Sequence, residues 1–289
     1  MKIIKCPKCN KDLFLDISKE EKDEIIEGTL CCKSGHMWNV TEGVVDFKSK
    51  EQEEANNWTE SYKEADYEEI DRRIFQGTPE NQREINIKAL NYIIDRINNN
   101  EDEFILDIAT GRGMLFTEMV RKLKTNSQII CTDLSFQVLK YDRMKAKKIN
   151  PEVKVNYIAC DAAKLPFIDN SIDVATSFYG IANMLGATFE GIKEANRVLK
   201  SKHNLYNTFI NIKEDSKGFS ILKQFCMENT IAGVENFSLK NEIEKYHYEA
   251  GFTDIKTIKI GESIGEKCEF DLLPFENEWF SIIVAVGTK

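Results

Sequence analysis

The chain has 289 residues, 42% of them hydrophobic, and a formal net charge of −9 at pH 7. This hydrophobic content supports a sizeable core and excludes a disordered chain, and the net acidity argues against general attraction to nucleic-acid phosphates. A membrane-spanning helix needs about twenty consecutive apolar residues, and the chain has no such run. Because its N-terminus also lacks the hydrophobic segment of a signal peptide, we expect a cytoplasmic protein without a membrane partner.

Cysteines are concentrated at the N-terminus, where four of the eight lie within the first 32 residues. Two residues separate Cys6 from Cys9, the spacing of a turn that directs two thiolates to one point, and His36 follows Cys32 by four residues. Four nitrogen or sulfur ligands suit a closed, tetrahedral structural Zn²⁺ site. The predicted ligands are therefore Cys6, Cys9, Cys32 and His36, with Cys31 as the alternative to Cys32.

Residues 1–48 are predicted to form a zinc ribbon of short strands. A segment of about fifty residues with few bulky apolar side chains folds poorly without a stabilising cross-link. This favours a bound metal over the alternative, in which the cysteines are small buried side chains and the histidine lies at the surface. A redox role for the CxxC pair is a further alternative, and the absence of a βαβ pattern around the pair argues against it. The first fifty residues carry nine lysines and nine acidic residues, so the acidity belongs to the rest of the chain.

Residues 49–100 are predicted to form a helical linker or lid. Within them, residues 58–98 show an apolar stripe at helical spacing, interrupted by a turn near Pro79. Tyr62 and Tyr67 lie in this segment, which would exclude water if it closed over a bound ligand.

Residues 101–289 alternate between strand and helix patterns. This alternation predicts a doubly wound, mostly parallel, seven-stranded α/β sheet with helices on both faces. The loop before the last strand has no helical pattern, so we expect that strand to be antiparallel. The predicted strands are 104–109, 128–132, 153–159, 171–177, 204–212, 254–261 and 279–287. The predicted helices are 114–124, 135–148, 186–200, 217–230 and 239–250.

A small-residue turn follows the first of these strands. The apolar residues 104–108 lead into Ala109, Thr110, Gly111, Arg112 and Gly113, after which a helical pattern begins. Glycines let the backbone approach a ligand, and the free N–H groups at a helix start attract it. The second strand ends at Asp133, where a ribose diol would find a carboxylate acceptor. The pattern predicts a nucleoside-binding domain.

Polar groups also follow the neighbouring strands. Asp107 lies near the end of the first strand, Asp161 and Ala162 follow the third, and residues 177–180 follow the fourth. Any one carboxylate could be a helix N-cap instead. Ligands bind outside the carboxyl ends of such strands, so three carboxylates on successive strands indicate a shared site.

These residues resemble the first motifs of the class I S-adenosylmethionine-dependent methyltransferases, with Ala109 at their first glycine. The resemblance implies a Rossmann-like methyltransferase sheet with Asp133 on the ribose hydroxyls and Asp161-Ala162 on the adenine. It covers residues 104–212 well, although Ser201, Lys202 and His203 replace the usual proline-glycine-glycine. The implied cofactor-binding residues are Asp107, Ala109, Thr110, Gly111, Gly113, Asp133, Leu134, Asp161, Ala162 and Ser177.

The N-terminal ribbon ahead of this domain is similar to that of the ribosomal RNA guanine-N1 methyltransferases, in which it helps to recognise RNA. Similar ribbons precede methyltransferases of unassigned substrate. An RNA partner is possible, but the neutral ribbon and the acidic chain do not favour it. The methyl acceptor is therefore left unassigned, as either a small molecule or RNA.

Methyl transfer from a sulfonium needs positioning more than a dedicated catalytic group, and we predict none with certainty. Tyr179 and Asn183 are candidate contacts of the acceptor, with packing and capping as the alternative. His247 is expected to be a surface or core histidine rather than a general base. Two rival functions are a nicotinamide or flavin oxidoreductase, which the missing third small residue of the turn disfavours, and a non-enzymatic adaptor that binds a cofactor or a partner.

Overall fold

The computed structural model describes residues 3–48, 67–100, 102–124, 127–231, 233, 235–268 and 270–289. Its described strands form one eleven-stranded sheet in the order β1-β2-β3-β4-β7-β6-β5-β8-β9-β11-β10. The strands are β1 Leu13–Glu21, β2 Glu24–Cys32, β3 Met37–Thr41, β4 Val44–Asp46, β5 Phe104–Asp107, β6 Gln128–Asp133, β7 Val155–Ala159, β8 Ile172–Phe178, β9 Leu199–Ile212, β10 Asp254–Ile264 and β11 Trp279–Thr288.

The helices flank the sheet on both faces. They are α1 Tyr67–Gly77, α2 Glu80–Asn98, α3 Met114–Lys122, α4 Phe136–Ile149, α5 Thr188–Val198, α6 Lys217–Glu228, α7 Glu235–Ser238 and α8 Lys240–Glu249, with short 3₁₀ turns at Ala162–Lys164 and Ala182–Ala187. None of the described helices is both long and apolar enough to cross a bilayer.

The seven central strands confirm the predicted doubly wound α/β architecture. Strands β5, β6, β7, β8 and β9 pair in parallel, and their βα alternation places the helices on both faces. Strand β11 pairs antiparallel with both β9 and β10, as expected for a last strand that enters without a crossover helix. The carboxyl ends of β5 to β10 therefore meet at one edge of the sheet.

The sheet has more strands than the seven predicted, because the four N-terminal strands extend it. Strands β1 to β4 form an antiparallel meander, and β4 pairs in parallel with β7. The predicted ribbon thus continues the central sheet instead of standing apart from it. Helix α5 differs from expectation at both ends: it begins at Thr188 after a 3₁₀ turn, and it ends at Val198, where β9 begins at once.

The predicted helical segment 58–98 is helical where the structure describes it. Residues 58–66, including Tyr62, lie outside the described residues. Helices α1 and α2 are separated at Thr78 and Pro79, close to the predicted turn. The apolar stripe of α2 is buried on the sheet, and its largest buried members are Ile93, Ile94 and Ile97.

Candidate functional site

The turn after β5 is built from left-handed residues. Ala109, Gly111 and Gly113 have φ values of 51°, 57° and 70°. The Thr110 N–H donates to the Thr132 carbonyl oxygen on β6 at 2.8 Å, which ties the turn to the neighbouring strand. Such a turn exposes backbone N–H groups at the start of α3, the arrangement that favours an anionic or polar ligand.

The three glycines near this turn serve different purposes. A Cβ added at Gly111 would meet only the Ala109 carbonyl oxygen, 3.9 Å away, so a ligand could approach this backbone closely. At Gly113 it would lie 2.6 Å from the Asp142 carboxylate. At Gly180, after β8, it would lie 2.3 Å from the Ala109 carbonyl oxygen, so a side chain there would push the turn out of place.

Asp133 ends β6 and faces the glycine turn. Its Oδ2 accepts a hydrogen bond from the Gly111 N–H at 2.9 Å, and its Oδ1 accepts one from the Ser135 N–H at 2.8 Å. Burial raises the pKa of this carboxyl, while the backbone hydrogen bonds and the nearby charge of Lys48 oppose the rise. A carboxylate has about four lone-pair sites, so it can accept a further hydrogen bond from a ribose hydroxyl.

Asp107 is deeply buried at the end of β5. Its Oδ1 accepts a hydrogen bond from the Thr176 hydroxyl on β8 at 2.8 Å. Burial raises the pKa of Asp107 to about 7, although the bonds from Thr176 and Thr110 lower it. A carboxyl with this pKa can exchange a proton near neutral pH when a charged ligand arrives.

The remaining predicted cofactor residues lie along the same edge. Asp161 caps the short 3₁₀ turn after β7, where its Oδ1 accepts from the Ala163 N–H at 2.8 Å, as the N-cap alternative anticipated. Ala162, the next residue, and Leu134, which follows Asp133, are half-buried. The Ser177 hydroxyl donates to the Ile108 carbonyl oxygen and accepts from the Ile181 N–H, so it joins β5 to β8 and has no remaining proton for a ligand.

The two candidate acceptor contacts differ. Tyr179 has a left-handed φ of 65°, and its hydroxyl donates to Asn86 Oδ1 on α2 at 2.6 Å. Burial raises the pKa of Tyr179 well above its ordinary value, so it stays protonated, and the charge of Asp271 adds to the effect. Asn183 is exposed in the following 3₁₀ turn, and its N–H donates to the Tyr179 carbonyl oxygen.

The structure adds polar residues to this edge that the sequence analysis missed. Gln82 and Asn86 lie one turn apart on α2 and are 3% and 4% exposed, although they interrupt an otherwise apolar stripe. That interruption was a signal available in the sequence. Asp271 lies in the loop between β10 and β11, and burial raises its pKa against the opposing charge of Arg112. No local pattern marks it.

The histidines outside the ribbon lie away from this edge. His247 is fully buried in α8, where its Nδ1–H donates to the Ile243 carbonyl oxygen and burial lowers its pKa to about 4. His203 lies near the amino end of β9, and its Nδ1–H donates to the Asp173 carbonyl oxygen. Neither could act as a base at the carboxyl edge.

A second candidate site lies in the ribbon, where the structure brings together Cys6, Cys9, Cys32 and His36. All four ligand atoms lie within 4.8 Å of one another. The Cys6 Sγ and Cys32 Sγ atoms are 3.4 Å and 3.5 Å from His36 Nδ1, and Cys9 Sγ is 3.6 Å from Cys32 Sγ. These separations fit the edges of a tetrahedron around Zn²⁺ with bonds of about 2.0–2.3 Å.

The chemistry of this cluster also suits a metal. A backbone hydrogen bond from Lys11 lowers the pKa of Cys9 to about 7, which favours the thiolate form that binds metals. Cys31, the alternative ligand, pairs with Met37 in the β2–β3 ladder and is outside the cluster, because adjacent strand residues point to opposite faces.

Comparison with known proteins matches the sequence of this chain to a methyltransferase family. The model of the ubiE/COQ5 methyltransferase family matches residues 85–248, more than half of the chain. A ubiquinone/menaquinone biosynthesis C-methyltransferase of Rickettsia typhi is 34% identical over 99 residues, which cover 33% of this chain and 40% of that protein. A demethylmenaquinone methyltransferase of Porphyromonas gingivalis is 32% identical over 95 residues, covering 33% and 38%. The chain thus spans about two fifths of these relatives.

Solved structures share the fold. A candidate methyltransferase from Bacillus halodurans aligns with a TM-score of 0.51 and 17% identity, covering 68% of this chain and 97% of that one. The YcgJ protein from Bacillus subtilis aligns with a TM-score of 0.50 and 15% identity, covering 70% and 97%. At these identities the likeness concerns the Rossmann-like methyltransferase fold alone.

Proposed function

Because the chain belongs to the ubiE/COQ5 methyltransferase family, we propose that it transfers a methyl group from S-adenosylmethionine to a small, quinone-like aromatic acceptor. The observation that carries the proposal is the set of three carboxylates, Asp107, Asp133 and Asp161, at the ends of adjacent parallel strands around an open glycine turn. A nicotinamide dinucleotide would need a third small residue where Phe116 lies fully buried in α3.

In this proposal the cofactor supplies an electrophilic methyl group, and the protein supplies its position. Asp133 would hold the ribose hydroxyls, Asp161 and Ala162 would contact the adenine, and the turn at Gly111 would lie against the rest of the nucleoside. Bound S-adenosylmethionine would give its methyl group to the acceptor carbon and leave as S-adenosylhomocysteine, and the ring proton displaced from that carbon would pass to solvent. Alignment of the reactants alone supplies effective molarities of about 10⁵ M or more.

The chemistry of the acceptor is suggested by the mouth of the site. The Tyr179–Asn86 hydrogen bond connects the end of β8 to α2, and the Asn81 side chain at the start of α2 donates to Ser263 Oγ and the Ile264 carbonyl oxygen at the end of β10. Large apolar side chains are exposed around this end of α2: Phe75 lies against Arg83, Phe270 lies beside Gly77, and Ile264 is the residue bonded to Asn81. A polar interior with an apolar rim suits an aromatic ring that carries an apolar substituent.

The relatives support the same class of acceptor. They are named as methyltransferases of ubiquinone and menaquinone biosynthesis, of demethylmenaquinone and of 2-phytyl-1,4-naphtoquinone, and none of these three is named as an RNA methyltransferase. The net charge of −9 weighs against RNA as well. We further propose that Cys6, Cys9, Cys32 and His36 hold a structural Zn²⁺, since four protein ligands leave no open position for chemistry.

Cofactor binding is tested by titrating the purified protein with S-adenosylhomocysteine in a calorimeter. We expect saturable 1:1 binding, and we expect Asp133→Ala to weaken it by about 1.5–3 kcal/mol, the value of hydrogen bonds to a charged group. Asp254→Ala, a carboxylate at the opposite edge of the sheet, is the control and should bind normally. Binding of NAD⁺ instead, or unchanged affinity in Asp133→Ala, would refute the assignment.

The acceptor is tested with methyl-labelled S-adenosylmethionine. Reduced naphthoquinols with and without an apolar substituent are offered in parallel with ribosomal RNA. We expect label in a naphthoquinol product and none in RNA. Label in RNA only would favour the ribosomal RNA methyltransferase alternative, and cofactor binding with no transfer to either would favour a non-enzymatic adaptor.

A further inference from the structure

Two segments of the ribbon flank the loop of residues 160–165, which carries Asp161 and Ala162 and is called the adenine loop below. On one side, the Lys5 N–H donates to the Pro166 carbonyl oxygen at 2.8 Å, and the Ile168 N–H donates to the Ile3 carbonyl oxygen at 2.9 Å. The backbone of residues 3–5 therefore pairs with the chain immediately after the adenine loop.

On the other side, the end of the ribbon pairs with the chain immediately before the adenine loop. Strand β4 lies parallel to β7, with Asp46 opposite Ala159. The Phe47 N–H then donates to the Ala159 carbonyl oxygen at 2.9 Å. Both ends of the adenine loop are thus held by backbone hydrogen bonds from the ribbon.

The Cys/His cluster joins these two segments to each other. Cys6 directly follows the first segment. Trp38, two residues after His36, packs edge-on against Phe47 of the second segment with ring centroids 5.4 Å apart. Lys8, inside the CxxC turn, lies 5.2 Å from the Trp38 ring centroid. Contacts therefore run from the cluster to both sides of the adenine loop.

Helix α4 connects the ribbon to the ribose side of the site as well. Arg143 Nε donates to Glu24 Oε1 at 2.8 Å, Lys140 Nζ donates to Glu42 Oε1 at 2.8 Å, and Lys147 also pairs with Glu24. The N-cap of α4 is Ser135, whose N–H holds the Asp133 carboxylate. The ribbon therefore contacts the elements that position both predicted ends of the adenosine.

We propose that the metal-loaded ribbon is a clamp on the adenine loop, so that metal occupancy of the Cys/His cluster sets the affinity for the nucleoside cofactor. The inference rests on the proposed function, because it requires a metal in the cluster and adenosine at the loop. A metal fixes Cys6 and Cys9 relative to Cys32 and His36, and so fixes the two flanking segments relative to each other. Preorganising a binding loop strengthens binding by reducing the ordering cost.

The first test uses the zinc-loaded full chain and S-adenosylhomocysteine. Phe47→Ala removes the ring between Trp38 and the loop without touching a ligand of the metal or of the cofactor. We expect full zinc content and a dissociation constant raised about fivefold or more, the lower end of typical site-to-site couplings. Phe14→Ala, the same change at an exposed position of β1, should bind normally. Equal dissociation constants for Phe47→Ala and the wild type would overturn the clamp.

The second test uses the wild type alone and decides the matter if Phe47→Ala does not fold. Coupling between two sites is reciprocal, so bound cofactor must strengthen metal binding by the factor by which the metal strengthens cofactor binding. Saturating S-adenosylhomocysteine should therefore raise the concentration of a metal chelator needed to remove half of the zinc by about fivefold or more. An unchanged concentration would refute the clamp. Failure of the zinc-loaded wild type to bind S-adenosylhomocysteine would instead refute the proposed function itself.

Discussion

At the scale of single residues, the turn after β5 tolerates a conformation that its sequence does not favour. Ala109 replaces a glycine of the family pattern and still adopts φ 51°. A left-handed conformation costs an L-residue about 1–2 kcal/mol, so the surrounding hydrogen bonds must enforce it. The Ile108 N–H donates to the Thr176 carbonyl oxygen just before this position, and the bonds from Thr110 to Thr132 and from Gly111 to Asp133 hold the turn just after it.

Ala109→Gly should therefore stabilise the protein. Glycine adopts a positive φ without strain, and this relief outweighs its larger loss of chain entropy, so we expect a gain of up to about 1 kcal/mol in the free energy of unfolding. Urea titration followed by circular dichroism measures the change. Ala195→Gly, in the buried middle of α5, is the opposite control and should lose at least about 1 kcal/mol. A loss of stability in Ala109→Gly would show that the turn carries no strain.

A second residue-scale prediction concerns Asp142, which is fully buried against Gly113 and 3.0 Å from Lys145 Nζ. Burial raises the pKa of Asp142 from 3.8 to about 7, against the opposing effect of Lys145. The folded protein therefore holds this proton more tightly than the unfolded chain does. The contribution of Asp142 to the free energy of unfolding consequently falls as the pH rises from about 4 to about 7.

Asp142→Asn removes that titration. We expect the stability of the variant relative to the wild type to increase between pH 4 and pH 7 and then to level off. Urea unfolding of both proteins at several pH values gives the difference curve. A flat difference curve, or one that slopes the other way, would mean that Asp142 is ionised throughout this range.

At the scale of elements, the basic residues of α4 do not form a purely solvated face. Three of them instead pair with acidic residues of the ribbon, Glu24 and Glu42, which are about a hundred positions away in the chain. Charge patterning along one helix reports only its own face. It cannot identify an acidic side chain that is distant in the sequence and lies next to the helix only in the folded protein.

The ion pair between Arg143 and Glu24 should stabilise the junction between α4 and the ribbon. Their side chains are 16% and 30% exposed, so solvent screens the pair only in part. A double-mutant cycle with Arg143→Ala and Glu24→Ala should give a coupling energy of about 0.5–1 kcal/mol. The matched cycle for Lys148 and Glu68, which are 75% and 74% exposed, should give no measurable coupling. Equal couplings would mean that burial adds nothing at this junction.

Local patterns predicted the elements well and their long-range pairing poorly. The alternation of apolar runs located all seven central strands to within a few residues, and the CxxC and Cys-x₃-His spacings singled out four residues that the fold does bring together. The pairing of β4 with β7 has no such signal, because the register between distant strands depends on the folded arrangement. Asp271 could not be predicted for the same reason. It is a loop residue that lies at the carboxyl edge of the sheet only because β10 and β11 pair in the folded protein.

At the scale of the whole molecule, the ribbon and the central domain share one sheet and one apolar core. Buried side chains of the ribbon, Leu30, Val40 and Phe47, belong to the same cluster as Leu106 and Ile130 of the central strands. A core that crosses a boundary between two segments couples their unfolding. We therefore expect the ribbon to unfold together with the central domain, although its sequence reads as a separate module.

This continuity predicts a single unfolding transition for the zinc-loaded protein. All described helices lie outside the ribbon, so helical circular dichroism reports on the central domain, while release of zinc to a coloured chelator reports on the ribbon. The two signals should change at the same temperature. Zinc in excess stabilises the folded state, by about 2.7 kcal/mol at a hundred times its dissociation constant, and should raise the midpoint of both signals together. Release of zinc well before the loss of helix would contradict the prediction, because it would show that the ribbon unfolds independently of the sheet it extends.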